Sequence, residues 1–275
     1  MKTILVPVDF SETSINAAKY ACELAKKLEA NIILFHAYHV PVVVGEAPAF
    51  IPPLDEVEKT SLKNLQRLKE DLMFQNERLV SVLCICKCGF AVDEIKLYAK
   101  EHRVDFIVMG TQGVGYLAER LLGSTTSALI HNTKSPIIAI DKNARYSEMK
   151  KIVFACEYAE ERNPKLLQPL KLLAHTFGGH VYVINIDVEK SGNTCNSEVP
   201  GDCLNLGDSL SDIDHSYHYR QASDVVSGIN AFAVENNADL ICILPQKHAL
   251  LNRILHEPVT KQMVFHSKAP LLILH

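Results

Sequence analysis

Lys2-Thr3-Ile4-Leu5-Val6-Pro7-Val8-Asp9-Phe10 returns further along the chain as Lys150-Lys151-Ile152-Val153-Phe154-Ala155-Cys156-Glu157-Tyr158. At the same offset, Ala30-Asn31-Ile32-Ile33-Leu34-Phe35 matches Gly178-Gly179-His180-Val181-Tyr182-Val183. Val104–Met109 matches Ala238–Ile243, and Ser135–Ile140 matches Ala269–Leu274. Four blocks in one order at nearly one spacing are a duplication, and such a repeat sets the architecture before any local reading. The boundary falls at Asn143–Ser147, giving units 1–143 and 148–275, each near the usual size of one domain in this 275-residue chain.

Within one unit, short unbroken apolar runs (Ile4–Val8, Ile32–Phe35, Phe106–Met109, Ile137–Ile140) read as strands buried on both faces of a parallel sheet. Val80–Cys86 supplies a further strand. Between the first two runs, Ile15, Ala18, Cys22 and Ala25 recur at spacings of three and four. That predicts an amphipathic helix over 11–29 with Ser11 as its N-cap. Further helices are predicted over 92–102 and 124–131. Strands alternating with helices make an open, doubly wound α/β sheet. Such sheets bind ligands beyond the carboxyl ends of their strands, which directs attention to Asp9, Ala37 and the loop after Met109.

That loop reads Gly110-Thr111-Gln112-Gly113, then nine residues, then Gly123-Ser124-Thr125-Thr126. Glycine permits close backbone approach. The first-turn amides of a helix opening at Ser124 make an anion site for phosphate. As plain structure, the glycines punctuate turns and Ser124 is a cap. Gly-x2-Gly-x9-Gly-Ser together with the opening strand through Asp9 resembles the universal stress protein family over residues 1–142, and more weakly to 275. The resemblance implies two tandem Rossmann-like domains, similar to the adenine nucleotide α-hydrolase fold, that bind ATP, alone or with Mg2+. It implies a ribose or adenine contact for Asp9 and backbone contacts to adenine at Ala37. Gly110 and Gly113 would approach the α- and β-phosphates, and Gly123, Ser124, Thr125 and Thr126 would hold the β- and γ-phosphates. Pro7, Met109 and Gln112 complete the implied lining. Family members pair their last strands antiparallel, so Ser135–Ile140 and Pro270–Leu274 are expected to close the chain into an intramolecular pseudo-dimer, with further homo-oligomerisation left open.

Other patterns weigh less. Gly113-Val114-Gly115-Tyr116-Leu117-Ala118 matches a dinucleotide fingerprint, but it follows a late strand, and Asp141 stands too far on. No P-loop occurs. The segment after the first strand, Val8–Glu12, has neither loop that adenylating enzymes of this superfamily carry. In the second unit Glu157, Leu244, His256 and Glu257 replace Asp9, Gly110, Gly123 and Ser124, and Lys247 or His248 replaces Gly113, so ATP binding is expected in the first unit alone. Of the twelve histidines eight lie in this second unit, without metal-ligand spacing. Ser191–Asp214 reads as a mobile loop. Cys84-x-Cys86-x-Cys88 would face one side of a strand, as packing thiols rather than a zinc or redox site. No Ser/His/Asp set or carboxylate pair stands out, so no catalytic residue is named, and at most slow ATP hydrolysis is expected. A net charge of −4 argues against nucleic acid. The N-terminal apolar run is too short for a signal peptide, and no run suffices for a membrane helix. The expectation is a cytoplasmic, ATP-binding regulatory protein of stress response; an adenylating-type enzyme and a ligand-free interaction module are the rival readings.

Overall fold

The computed structural model describes residues 1–39, 53–77, 79–111, 124–155, 164–188, 209–244 and 269–275. Ten strands form one sheet in the order β3-β2-β1-β4-β5-β10-β9-β6-β7-β8. The first half contributes β1 (Lys2–Pro7), β2 (Ala30–Tyr38), β3 (Val82–Cys88), β4 (Phe106–Gly110) and β5 (Ile137–Ile140). The second contributes β6 (Lys151–Ala155), β7 (His180–Val188), β8 (His215–Ala222), β9 (Leu240–Ile243) and β10 (Leu271–Ile273). Every pairing is parallel except β5 with β10, where Leu272 lies opposite Ile138 in an antiparallel register. The expected junction of the two final strands is therefore present, and it leaves β3 and β8 as the outer edges.

Helices cover both faces. α1 (Glu12–Leu28), α2 (Leu54–Gln75) and α5 (Gln168–Phe177) pack on one; α3 (Ala91–Glu101), α4 (Ser124–Asn132) and α6 (Val225–Glu235) pack on the other. Ser11 caps α1 as its hydroxyl accepts from the Ser14 amide at 3.2 Å. α2 carries Ser61, Leu65, Leu68 and Leu72 inward at helical spacing over β2 and β3; no matching block in the second half marks it in sequence. Each face holds an apolar cluster that runs unbroken through the β5–β10 junction, one through Ile138 and Leu272, the other through Ile137 and Ile273.

The duplication extends to individual hydrogen bonds. Asp105 Oδ2 accepts from the Thr3 amide at 2.7 Å, and Asp239 Oδ2 accepts from the Lys151 amide at 2.9 Å. Lys2 Nζ donates to the Leu28 carbonyl at the end of α1, and Lys150 Nζ to the Phe177 carbonyl at the end of α5. The second-strand alignment needs correction by one residue. Ile4 pairs with Ile32 but Ile152 pairs with Val181, so Val181, not His180, is the counterpart of Ile32. The helical connection is one residue longer in the second half. A constant offset would turn β7 over, placing its apolar residues on the wrong faces.

Two further expectations change. The segment 191–214 is not loop throughout: residues 191–208 lie outside the described residues, but Leu210 and Ile213 are buried. The strand expected at 80–86 runs from Val82 to Cys88. Along it Cys84 and Cys86 pack half-buried on the α2 side, with the Cys84 thiol pointing at the Leu65 carbonyl (3.6 Å), while Cys88 is exposed. Burial pushes both half-buried thiols up, away from the thiolate that metal binding or redox chemistry requires.

Candidate nucleotide site at the strand switch point

From β1 the chain winds outward through β2 to β3, then returns to place β4 on the other side of β1. The crevice between the carboxyl ends of β1 and β4 is thus the topological switch point of this half-sheet. The residues singled out in sequence arrive there by register. Pro7 ends β1, with exposed Asp9 two residues on; Met109 and Gly110 end β4.

Asp9 shapes the turn it follows. Its Oδ1 accepts from the Ser11 amide (3.0 Å) and the Ser11 hydroxyl (2.6 Å), which orients the N-cap of α1. Between them Phe10 holds φ at 65°, the left-handed region that a bulky side chain rarely enters. Its ring meets that of His36 at 4.7 Å. His36 Nδ1 donates to the Val8 carbonyl at 2.7 Å, continuing the sheet where β1 has ended. Ala37 lies inside β2 rather than after it, paired with Lys87. The Phe35 carbonyl accepts from the Val8 amide, so by the alternation of a parallel ladder the backbone groups of Ala37 face the same side, past the end of β1.

On the β4 side, Gly110 serves packing as well as access. A β-carbon there would sit 2.7 Å from Thr13 Cγ2 and 3.0 Å from the Thr13 carbonyl carbon in the first turn of α1. The Thr126 hydroxyl is turned inward and donates to the Gly110 carbonyl at 2.8 Å, pinning the first turn of α4 to the strand end. With its one proton so committed, the Thr126 hydroxyl has none to donate to a phosphate. Thr125 is half-exposed beside it. Thr111 is buried at 1% exposure, and its Oγ1 has no hydrogen-bond partner among the described residues. A buried hydroxyl without a partner costs about 1–3 kcal/mol, so this atom marks a place where a further polar group fits. Gln112, Gly113, Gly123 and the side chain of Ser124 lie outside the described residues. Phe10, His36, Thr13 and Thr111 are the site residues that sequence reasoning misses; only the run onward from Asp9 hinted at the first.

In the second half the position of Gly110 is held by Leu244, which is buried. Its counterparts of Asp9, Gly113, Gly123 and Ser124 lie outside the described residues. Among the described residues no group of three or more histidine, cysteine or carboxylate side chains is placed to hold a metal ion, and no helix is long and apolar enough to cross a membrane.

Histidines that looked scattered in sequence are not all apart. The fold brings His180, Ser216, His218 and Asp214 within hydrogen-bond distance of one another at the far end of the sheet. The expectation that the chain carries no Ser/His/Asp set is corrected by this arrangement. Its members come from β7, from β8 and from the residue just before β8, which only tertiary pairing brings together.

Comparison with known proteins agrees with this architecture. The profile of the universal stress protein family matches residues 1–141. A universal stress protein of Methanocaldococcus jannaschii is 30% identical over 149 residues, covering 51% of this chain and 82% of the relative. One of Bacillus subtilis is 30% identical over 146 residues, covering 50% of this chain and 97% of the relative. The crystal structure of a universal stress protein from Archaeoglobus fulgidus superposes over 98% of this chain and 95% of its own, with a TM-score of 0.70 at 16% identity, a likeness of fold. With the family profile spanning just over half the chain and a relative 30% identical covered over 82% of its length, this chain belongs to the universal stress protein family.

Proposed function

We propose that the chain is an ATP-binding regulatory protein of stress response that holds one adenine nucleotide in residues 1–143 and acts from the cytoplasm. The observation that carries the reading is the convergence at the β1/β4 switch point. An exposed carboxylate follows β1, a close-packed glycine ends β4, and the buried Thr111 hydroxyl, without a hydrogen-bond partner among the described residues, is followed by the loop that leads to the first turn of α4. Chemically these suit a nucleotide. A carboxylate accepts two ribose hydroxyls, and first-turn amides at the positive end of a helix attract phosphate. In this reading Asp9 holds the ribose, the backbone at Ala37 the adenine edge, and the loop from Gly110 through Gly113 to Gly123 and Ser124 the phosphates. Mg2+, if carried with ATP, would neutralise phosphate charge. Residues 148–275, with Leu244 in place of Gly110, form a second unit without such a site. The Asp9 carboxylate at the crevice is better suited to holding a ligand than to turning it over.

Isothermal calorimetry on the full chain tests this: ATP is expected to bind with a stoichiometry of about one per chain. Gly113→Val should weaken binding at least about tenfold, or about 1.4 kcal/mol. A stoichiometry of two, or unchanged affinity in the folded variant, would sink the reading. Mass spectrometry of nucleotide released on heat denaturation identifies the natural ligand.

A further inference from the structure

At the amino-terminal ends of β7 and β8, on the outer edge of the second half-sheet, four polar side chains form a directed chain of hydrogen bonds. His180 opens β7; Asp214 immediately precedes β8; Ser216 and His218 stand on one face of β8, with Ser216 in register with Tyr182. Asp214 Oδ2 lies 2.8 Å from His180 Nδ1, His180 Nε2 lies 2.7 Å from Ser216 Oγ, and His218 Nε2 lies 2.8 Å from the same Oγ. The directions follow from the groups. A carboxylate only accepts, so His180 Nδ1 carries a proton, and in neutral His180 the Nε2 lone pair faces the serine. Ser216 then donates its one proton to His180, and His218 Nε2–H donates to Ser216 Oγ. A nucleophile bonded to a base that a third group orients is the geometry of activated serines, and it is recognised by roles rather than by sequence order.

We propose that Ser216 is an activated nucleophile for esters of short, apolar acyl groups, with His180 as general base and the His218 N–H holding the Ser216 oxygen in line with it. Asp214 is the positioning residue. Ser216 and both imidazoles are partly exposed and Asp214 is exposed, so the set opens to solvent. The ring of Tyr182 stands edge-on to His180 at 4.6 Å, and that of Phe232 lies 5.0 Å from His218, giving an apolar wall beside the hydroxyl. That wall selects the acyl group. Burial first, and then the neighbouring His180, hold the His218 pKa below the ordinary histidine value, which keeps it a neutral donor.

In the forward step Ser216 Oγ bonds to the acyl carbon while its proton passes to His180 Nε2. The tetrahedral intermediate collapses as the ester C–O bond breaks, and the departing alkoxide takes the proton from His180. Water then attacks the acyl-serine carbon, giving its proton through His180 to Ser216 Oγ as the acid leaves. The net reaction is ester plus water to acid plus alcohol, and His180 ends as it began.

The test treats the full chain with a fluorophosphonate probe and, separately, with p-nitrophenyl acetate. Peptide mapping should place one phosphonyl group, and under acetylation one acetyl group, on Ser216. Ser216→Ala should abolish both labels, and His180→Gln should slow labelling by about 100-fold. Asp214→Asn should slow labelling and shift its pH profile, and Asp214→Glu should recover part of the rate. Ser216→Cys, nearly isosteric, should carry the acyl group as a thioester even if the alanine variant folds poorly. Label spread over other residues would overturn the proposal, and so would rates unchanged in folded Ser216→Ala or His180→Gln protein.

Discussion

Gly110 shows how one residue can answer to two demands. As motif it stands for close approach of a phosphate, yet the structure gives it a neighbour that needs the same space: Thr13 in α1, whose carbonyl carbon would lie 3.0 Å from an added β-carbon. Gly110→Ala is therefore expected to push the end of β4 away from α1 and cost about 1–3 kcal/mol, the range for overpacking a tight site. Chemical denaturation without any nucleotide measures it, and a variant as stable as the parent would leave the ligand as the sole reason for this glycine. Asp9 likewise has a structural task beside the ribose contact proposed for it, since it orients the cap of α1 through Ser11. Sequence reasoning named both residues but not their structural partners, because Thr13 and Ser11 meet them through the fold of the β1–α1 turn.

At the scale of elements, the end of β10 meets the last turn of α4. His275 follows β10, and its pKa is pushed down to about 4 from 6.5, first by burial and then by His131 of α4. The sign of the pH effect follows from proton counting. Between pH 6.5 and 4 the unfolded chain binds a proton at this residue that the folded chain excludes, so stability falls as pH drops through that window. His275→Asn should flatten that slope, read as urea midpoints from pH 7 to 4; an unchanged slope would remove His275 from the acid response. Elements also show where the repeat pattern reached its limit. The apolar runs placed β1, β4 and β5 closely, since strands buried on both faces carry no other message. α2 has no repeat partner to announce it, and β8 is an edge strand rich in histidine and tyrosine, which an apolar pattern passes over.

Over the whole molecule, the β5–β10 pairing turns two half-sheets into one. Left unpaired, these two strands would expose buried-type apolar edges prone to aggregation. Paired, they carry both apolar clusters across the junction. Ile138 and Leu272 face each other in register and are fully buried, so lysine at both places two charges in the core. The double variant is expected to lose the junction, seen as rapid hydrogen exchange along both strands and protease cutting near Asn143–Ser147. Protection equal to the parent's would show that other contacts hold the halves together. Among such contacts, α1 grips the connecting segment: Asn16 Nδ2 donates to the carbonyls of Asp141 and Ala144, and Lys27 pairs with Glu148 at 2.6 Å.

The duplication, the parallel doubly wound halves and the positions of Asp9, Gly110 and the α4 start were all present in the sequence. Each rests on local patterning: apolar runs of strand length, helical spacing, and glycines at a fixed interval. What the tertiary structure alone decided depends on residues far apart in the chain. The one-residue shift of β7 was set by its pairing with β6, and the inward turn of Thr126 by the carbonyl of Gly110. The joining of His180 to Ser216 and Asp214 needed β7 and β8 side by side, 34 and 36 residues apart in sequence. No spacing rule spans such a distance, because cross-strand neighbours are chosen by the burial of whole faces and not by the residues that happen to meet there.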